Sequence, residues 1–380
     1  MQDGADVYRR LQRHLDNMPV GFPATESGVE IRILERLFTP EEAEVALHLS
    51  AVPETLERIQ SRVETQGVGR EKLEKLLDGL VRKGSIMGGR LLAARDGRKR
   101  YCKALFAVGM YEFQVDRITK EFQRDATQYL QEAFGQELLG QKTRQLRTIP
   151  INLAIVPERH VGGYDDARKL IQASSGPFAA MNCICRQGQD RVGEPCRQTE
   201  VRRTCLALKR IAQVTIDSGV GQVLSREETL AMIERAEKEG MVLQPENAQD
   251  PQFMCFCCGC CCGVLTSAKR FPRPAEYIHS NYYAQVDPRL CTGCETCASR
   301  CQMEALRTVD EITRVDLDRC IGCGLCVGTC PSEAIALQPK DRQTLPPKDT
   351  QALYRTILRD RFGVLGTAKI VGKALLGMKI

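Results

Sequence analysis

Two runs of cysteines toward the C-terminal end constrain this chain more than any other feature. The first is Cys291-Thr-Gly-Cys294-Glu-Thr-Cys297-Ala-Ser-Arg-Cys301, and the second is Cys320-Ile-Gly-Cys323-Gly-Leu-Cys326-Val-Gly-Thr-Cys330-Pro331; both follow C-x2-C-x2-C-x3-C. All four cysteines recur at an offset of 29 residues, as do Val286/Val315, Gly293/Gly322, Glu304/Glu333 and Ala305/Ala334, which marks a duplicated structural unit. Zinc sites draw on two separated pairs of ligands, so runs of four argue against a zinc ribbon. Three thiolates at this spacing wrap a short loop round one corner of an iron-sulfur cube. Gly293, Gly322 and Gly324 let the backbone come close enough to aim N–H groups at the sulfurs.

The spacing is similar to that of bacterial two-cluster ferredoxins. That resemblance implies that the fourth cysteine of each run ligates the other cluster. Cys291, Cys294, Cys297 and Cys330 would then hold one [4Fe-4S], and Cys320, Cys323, Cys326 and Cys301 the second. The pattern departs at one turn, where Cys301 is followed by Gln302 and the second copy has Pro331.

At 380 residues and 43% hydrophobic, the chain has room for two or three domains with their own cores. Nineteen cysteines would mean disulfides in a secreted peptide, but the polar start Met1-Gln-Asp-Gly-Ala-Asp reads as no export signal. Clustered cysteines without such a signal mean metal in a reducing cytoplasm. No run of about 18 uncharged apolar residues is present, so no membrane span is expected. Nine bases and three acids fall in residues 340–380, so the tail carries the whole net charge of +6 and the rest is balanced. Composition therefore indicates no general polyanion-binding surface.

From the N-terminus, Thr39-Pro40-Glu41-Glu42 reads as a capped helix start, and Pro53 opens a second helix carrying Leu56, Ile59 and Val63. Leu73, Leu76, Leu77, Leu80 and Val81 give the clearest helical stripe, ended by Gly84. Ile86 to Ala107 reads as a β-hairpin with its tip at Asp96-Gly97. Three helices and a hairpin are the order of a winged helix over residues 30–107. A DNA-binding version would use Glu71–Val81 for recognition and Arg95-Asp-Gly-Arg98-Lys99-Arg100 as a wing. Mixed charge disfavours it: residues 1–150 carry 24 bases against 22 acids. An interaction module that has kept the fold is the preferred reading. Lys120 to Phe134 reads as an amphipathic helix, Thr148 to Ile155 as a strand, and Pro157 to Gly163 as a boundary.

Ten further cysteines lie at Cys183, Cys185, Cys196 and Cys205, then Cys255, Cys257, Cys258, Cys260, Cys261 and Cys262. Helices are expected between the two groups, one with Leu206, Leu208 and Ile211 and another opened by the Ser225…Glu228 capping box, so the groups should meet in space. Six cysteines within 255–262 cannot all face one cubane, because neighbouring side chains diverge; the run feeds two sites or keeps some thiols free. At least one more iron-sulfur cluster is the first reading, with Arg186 and Arg197 offsetting its charge. A zinc site is the second. Buried structural thiols are the bland option, suited to Cys205 inside a helix and to Cys102. Cys257-Cys258-Gly259 and Cys261-Cys262-Gly263 resemble the cysteine-rich domains of heterodisulfide reductase-type proteins, though the spacing differs.

Thr39-Pro-Glu-Glu-Ala-Glu, Tyr111-Glu-Phe-Gln, Cys183-Ile-Cys185-Arg186, the Cys257–Cys262 run and the final repeat together resemble large 4Fe-4S ferredoxin-type proteins of anaerobic bacteria and archaea, over residues 30–340. The expected fold is α+β and multi-domain. Residues 1–150 form a winged-helix-like domain with flanking helices, 151–270 a cysteine-rich domain, 271–340 a two-cluster ferredoxin domain and 341–380 a basic tail. The tail helix from Thr350 to Phe362 could meet an anionic membrane surface, an acidic partner or its own protein. The resemblance implies a cytoplasmic carrier relaying electrons between redox protein partners in anaerobic metabolism. Its alternatives are a redox-sensing DNA-binding regulator and a reductase acting on a disulfide or small substrate at the middle cysteines. His14, His48, His160 and His279 are scattered and read as structural. Neither a catalytic triad nor a nucleotide-binding glycine loop is visible, and nucleic acid is not the favoured partner.

Overall fold

The computed structural model describes residues 2–63, 67–89, 92, 96–151, 154 and 163–375. Arg95, His160 and most of the Pro157–Gly163 boundary lie outside them. The chain divides into two compact units, residues 1–141 with 357–380, and residues 142–356. The cysteine-rich segment and the C-terminal repeat both fall in the second unit.

In the first unit, the Pro40–Ala46 helix starts as its residues dictate. Thr39 accepts from the Glu42 N–H, the Glu42 carboxylate answers the Thr39 N–H at 2.8 Å, and Pro40 sits where no N–H is needed. The Leu56–Val63 and Arg70–Lys83 helices follow; Leu73, Leu77 and Leu80 are fully buried, and Gly84 closes the second helix at φ 73°. Strands β1 (Glu54–Thr55), β2 (Ile86–Gly89) and β3 (Arg100–Lys103) form an antiparallel sheet in the order β1-β3-β2. Lys120–Tyr129 is helical and buries Phe122, Ala126 and Tyr129. Tyr129 packs with Phe22, Phe106 and Phe134 at ring separations of 4.9–5.5 Å, so the stripe belongs to the core. The tail helix runs farther than expected, Thr350–Leu375, with Gly363 at φ 68° breaking its geometry.

The second unit holds a five-stranded antiparallel sheet in the order β6-β4-β5-β8-β7. These are β4 (Phe178–Asn182), β5 (Arg203–Leu208), β6 (Gln222–Leu224), β7 (Val242–Pro245) and β8 (Phe253–Cys257). This corrects the helix expected around Leu206 and Leu208. Both residues lie on β5 with Cys205, and only Ile211 belongs to a helix, Lys209–Asp217. Leu206, Ala207 and Leu208 are all buried, so the strand shows a continuous apolar run that does not separate strand from helix. The Thr148–Ile155 strand is also corrected at its described positions. Leu146 and Ile149 make isolated bridges to Glu246 and Leu243, and Pro150, which has no N–H, stops the ladder.

The C-terminal repeat adds β9 (Tyr282–Val286), β10 (Leu306–Val309), β11 (Ile312–Val315) and β12 (Ile335–Pro339), paired β9 with β12 and β10 with β11. The pairing follows from the duplication: shifting β9 and β10 by one repeat lands on β11 and β12, so each ribbon takes one strand from each half.

One buried ion pair ties this repeat to the sheet. Arg147, 1% exposed, donates to Asp165 at 3.2 Å and to the Ala248 carbonyl at 2.8 Å. The other Asp165 oxygen accepts from the Asn281 side-chain amide at 2.9 Å, and the Asn281 Oδ1 accepts from the Thr344 N–H. Removing one partner of such a pair leaves the other charge buried. Arg147→Met should therefore lower unfolding stability by about 3–5 kcal/mol in denaturant titrations, and adding Asp165→Asn should recover part of that loss.

Candidate metal centres

One cysteine from each copy of the repeat receives a backbone donor at the matching place. The Thr313 N–H donates to Cys291 Sγ at 3.4 Å, and one repeat earlier the Ala284 N–H donates to Cys320 Sγ, also at 3.4 Å. Gly293 and Gly322 take φ 66° and 63°. A Cβ on Gly322 would lie 2.2 Å from the Tyr282 carbonyl oxygen, so a side chain there would force the loop off its strand. Gly324 adopts φ 76°, and its counterpart in the first copy is Glu295 at φ 59°, so this bend is kept without glycine.

Cys301, Cys320, Cys323 and Cys326 line one cavity, with Met303 and Leu325 among its apolar walls. Cys330 lies near enough to Cys297 for their charges to interact. Solvent access varies within the sets as well as between them, since Cys297 is as buried as Cys326 while Cys294 is exposed. Burial pushes Cys323 up to about 12 and also raises Cys320 and Cys326. The Thr313 N–H instead holds Cys291 below the ordinary thiol range, as Thr296 does for the exposed Cys294. The donor set is all thiolate, with backbone N–H groups aimed at sulfur, and it fits cluster ligation at both places.

The ten middle cysteines meet around the end of the sheet but separate into two groups. Cys205 lies opposite Cys255 in the ladder, and Cys257 is two residues further along β8 on the same face. Cys183 and Cys185 open the Ile184–Val192 helix, and Cys262 caps the Gly263–Ala268 helix. Cys183 lies close enough to Cys185, Cys255 to Cys205 and Cys257, and Cys257 to Cys262, for each thiol to shift its neighbour's protonation. The Cys185 partner holds Cys183 down at about 6. The second group is Cys196, Cys258, Cys260 and Cys261, whose Sγ atoms all lie within 4.8 Å of one another. The dense run thus feeds two places: Cys255, Cys257 and Cys262 in one, Cys258, Cys260 and Cys261 in the other. Cys205, on a strand and facing Cys255, is no helix-buried structural thiol.

Arg186 stands between the groups, 1% exposed. It donates to the Phe256 carbonyl at 3.0 Å and to Thr204, and its Nε finds no acceptor among the described residues. Burial works against its charge, yet the thiols of Cys183, Cys258 and Cys196 outweigh burial and hold the guanidinium firmly protonated. Arg197, expected to share this task, is exposed.

Gln302, which stands where the second copy has Pro331, has a use that only the fold reveals. Its side chain accepts from the Gly259 N–H at 2.7 Å and donates to Gln198 at 2.9 Å, bridging the two loops that carry the four-thiol group. Proline could do neither. Gln302→Ala should cost about 1–3 kcal/mol of unfolding stability, because the Gly259 N–H loses its acceptor, with Gln302→Glu intermediate in the same titration.

Of the histidines, His14 bonds the Leu49 carbonyl at 2.8 Å. Desolvation, with Arg147, Lys340 and Arg144 nearby, pushes His279 down to about 4 from 6.5. The unfolded chain therefore binds the extra proton first, and stability should fall as pH drops through 6.5 toward 4. Urea midpoints measured across this window should decline less in His279→Gln than in the parent.

A family model described as a 4Fe-4S dicluster domain matches residues 274–337. No curated protein and no solved structure matches the chain. The matched segment contains both cysteine runs, β9 to β11 and the start of β12, and supports a ferredoxin-type iron-sulfur domain there, within a chain of mixed helix and sheet. Among the described residues, no helix is long and apolar enough to cross a membrane.

Proposed function

We propose that this protein is a cytoplasmic electron carrier that relays electrons between redox protein partners in anaerobic metabolism. The ligand sets are Cys291, Cys294, Cys297 and Cys330 for one [4Fe-4S] cluster, and Cys320, Cys323, Cys326 and Cys301 for the other. The observation that carries this reading is the cavity in which Cys301 joins the three cysteines of the opposite run. Clusters held there supply reversible one-electron transfer. The protein's own contribution is graded access. Cys320 and Cys326 are buried under Leu325 and Met303, whereas Cys294 is exposed and Leu290 beside Cys291 is half-exposed, an apolar spot where a partner could approach.

The six-thiol group of Cys183, Cys185, Cys205, Cys255, Cys257 and Cys262 would hold a further iron-sulfur cluster, its charge offset by Arg186. The N-terminal module, read as a winged helix from its helix order and three-stranded sheet, would serve as a protein-docking element. Its bases support this over DNA binding: Arg70 pairs with Glu57, Lys72 with Glu41, Lys75 with Glu71, and Lys99 with Glu74 and Asp78. Phosphate recognition needs such charges unpaired.

Anaerobically purified protein should contain at least about eight irons and as many acid-labile sulfides per chain. Electron paramagnetic resonance of the reduced protein tests the ligand exchange. Cys330→Ser should alter the same cluster signal as Cys294→Ser, and Cys301→Ser the same one as Cys323→Ser. Colourless preparations lacking labile sulfide after reconstitution would end the reading, and a Cys330 variant that tracks Cys323 would end the exchange.

A further inference from the structure

We propose that Cys196, Cys258, Cys260 and Cys261 bind a single zinc ion, making a structural centre distinct from every iron-sulfur site in the chain. The sulfur separations carry this. Cys196 Sγ lies 3.7 Å from Cys258 Sγ and 3.8 Å from Cys260 Sγ, and Cys260 Sγ lies 3.6 Å from Cys261 Sγ. A zinc–thiolate bond of about 2.3 Å in a tetrahedron sets the sulfur–sulfur edge at about 3.8 Å. A cubane gives each thiolate its own iron at a separate corner and spreads the sulfurs well beyond that edge. The molecule contains its own comparison: among the described residues, no three thiols of the ferredoxin repeat or of the six-thiol group close to within 4.8 Å of one another. Only these four thiols close into a compact knot among the described residues.

The donor chemistry agrees. Four soft thiolates fill a tetrahedron and leave no open position, the mark of a structural rather than a reactive ion. Between the two common ions for such a site, zinc binds more tightly than ferrous iron. Four thiolates around a divalent cation leave a net negative centre, and Arg186, almost wholly buried with its Nε lacking an acceptor, lies beside it.

The position gives the ion a task. Cys196 belongs to the loop that carries Gln198, and Cys258, Cys260 and Cys261 to the turn that carries Gly259. These are the two points grasped by Gln302. A Cβ on Gly259 would come within 2.2 Å of the Gln302 carbonyl oxygen, so the turn and the repeat are in close register. Crosslinking the two loops through one ion would fix the platform against which Cys301 and its neighbours are held. This centre requires nothing of the electron-carrier reading and could exist without it.

The test is metal and labile-sulfide analysis of the full chain, purified without oxygen from medium containing both iron and zinc. The parent protein should retain about one zinc per chain, with X-ray absorption at the zinc edge giving four sulfur neighbours at about 2.3 Å. Cys196→Ser and Cys260→Ser should lose that zinc while keeping their iron and labile sulfide; Cys255→Ser should keep the zinc. Should the variants fail to fold, the zinc-edge spectrum of the parent decides alone. Zinc far below one per chain, or a loss of about four irons with their sulfide in Cys196→Ser, would assign a cubane here and overturn the proposal. A mononuclear iron signal that vanishes in Cys196→Ser would overturn it equally. In each case the ferredoxin pair is judged separately, by the irons that remain in Cys196→Ser.

Discussion

Backbone N–H groups aimed at sulfur are the constraint around which the second unit is arranged. A thiolate released from water needs donors, and the loops that supply them must run close to the thiols they serve. That requirement explains the positive φ at Gly293, Gly322 and Gly324, and it explains why Glu295 accepts the same bend. It also explains the crossed pairing of strands. Cys291 receives its donor from β11 and Cys320 from β9, so neither half completes its own site. Two short ribbons, each unstable alone, become one structure because each holds the other's sulfur.

The middle sheet solves a related problem with different means. Antiparallel register places Cys205, Cys255 and Cys257 on one face, and the following turn swings Cys258, Cys260 and Cys261 away from it. A single buried guanidinium then faces both thiol groups. An unpaired buried cation is costly where nothing negative surrounds it, so Arg186 makes sense only as the complement of charge accumulated on sulfur. The repeat is held to this sheet by polar contacts, the Arg147–Asp165–Asn281 knot at one place and Gln302 at another. Such contacts fix orientation more sharply than apolar packing, which suits sites whose relative placement matters.

The N-terminal unit follows another logic. Its helices carry many bases, but acids from neighbouring turns and from the opposing helix engage them. The aromatic group of Phe22, Phe106, Tyr129 and Phe134 packs within its core.

Local signals sufficed for a good part of this architecture. The capping boxes at Thr39 and Ser225, the Leu73–Leu80 stripe and the offset between the cysteine runs each depend on residues a few positions apart or on an exact repeat, and the chain can be read for such things directly. The strand identity of Leu206 and Leu208 could not be read, because a strand covered on both faces loses its alternation. Nor could the division of ten cysteines into two groups, since it rests on the register between β5 and β8 and on a turn that reverses side-chain direction within three residues. Gln302 makes the difference plainest: the missing proline was visible in the chain, but its purpose lies in Gly259 and Gln198, residues distant in sequence that only folding brings within hydrogen-bond reach.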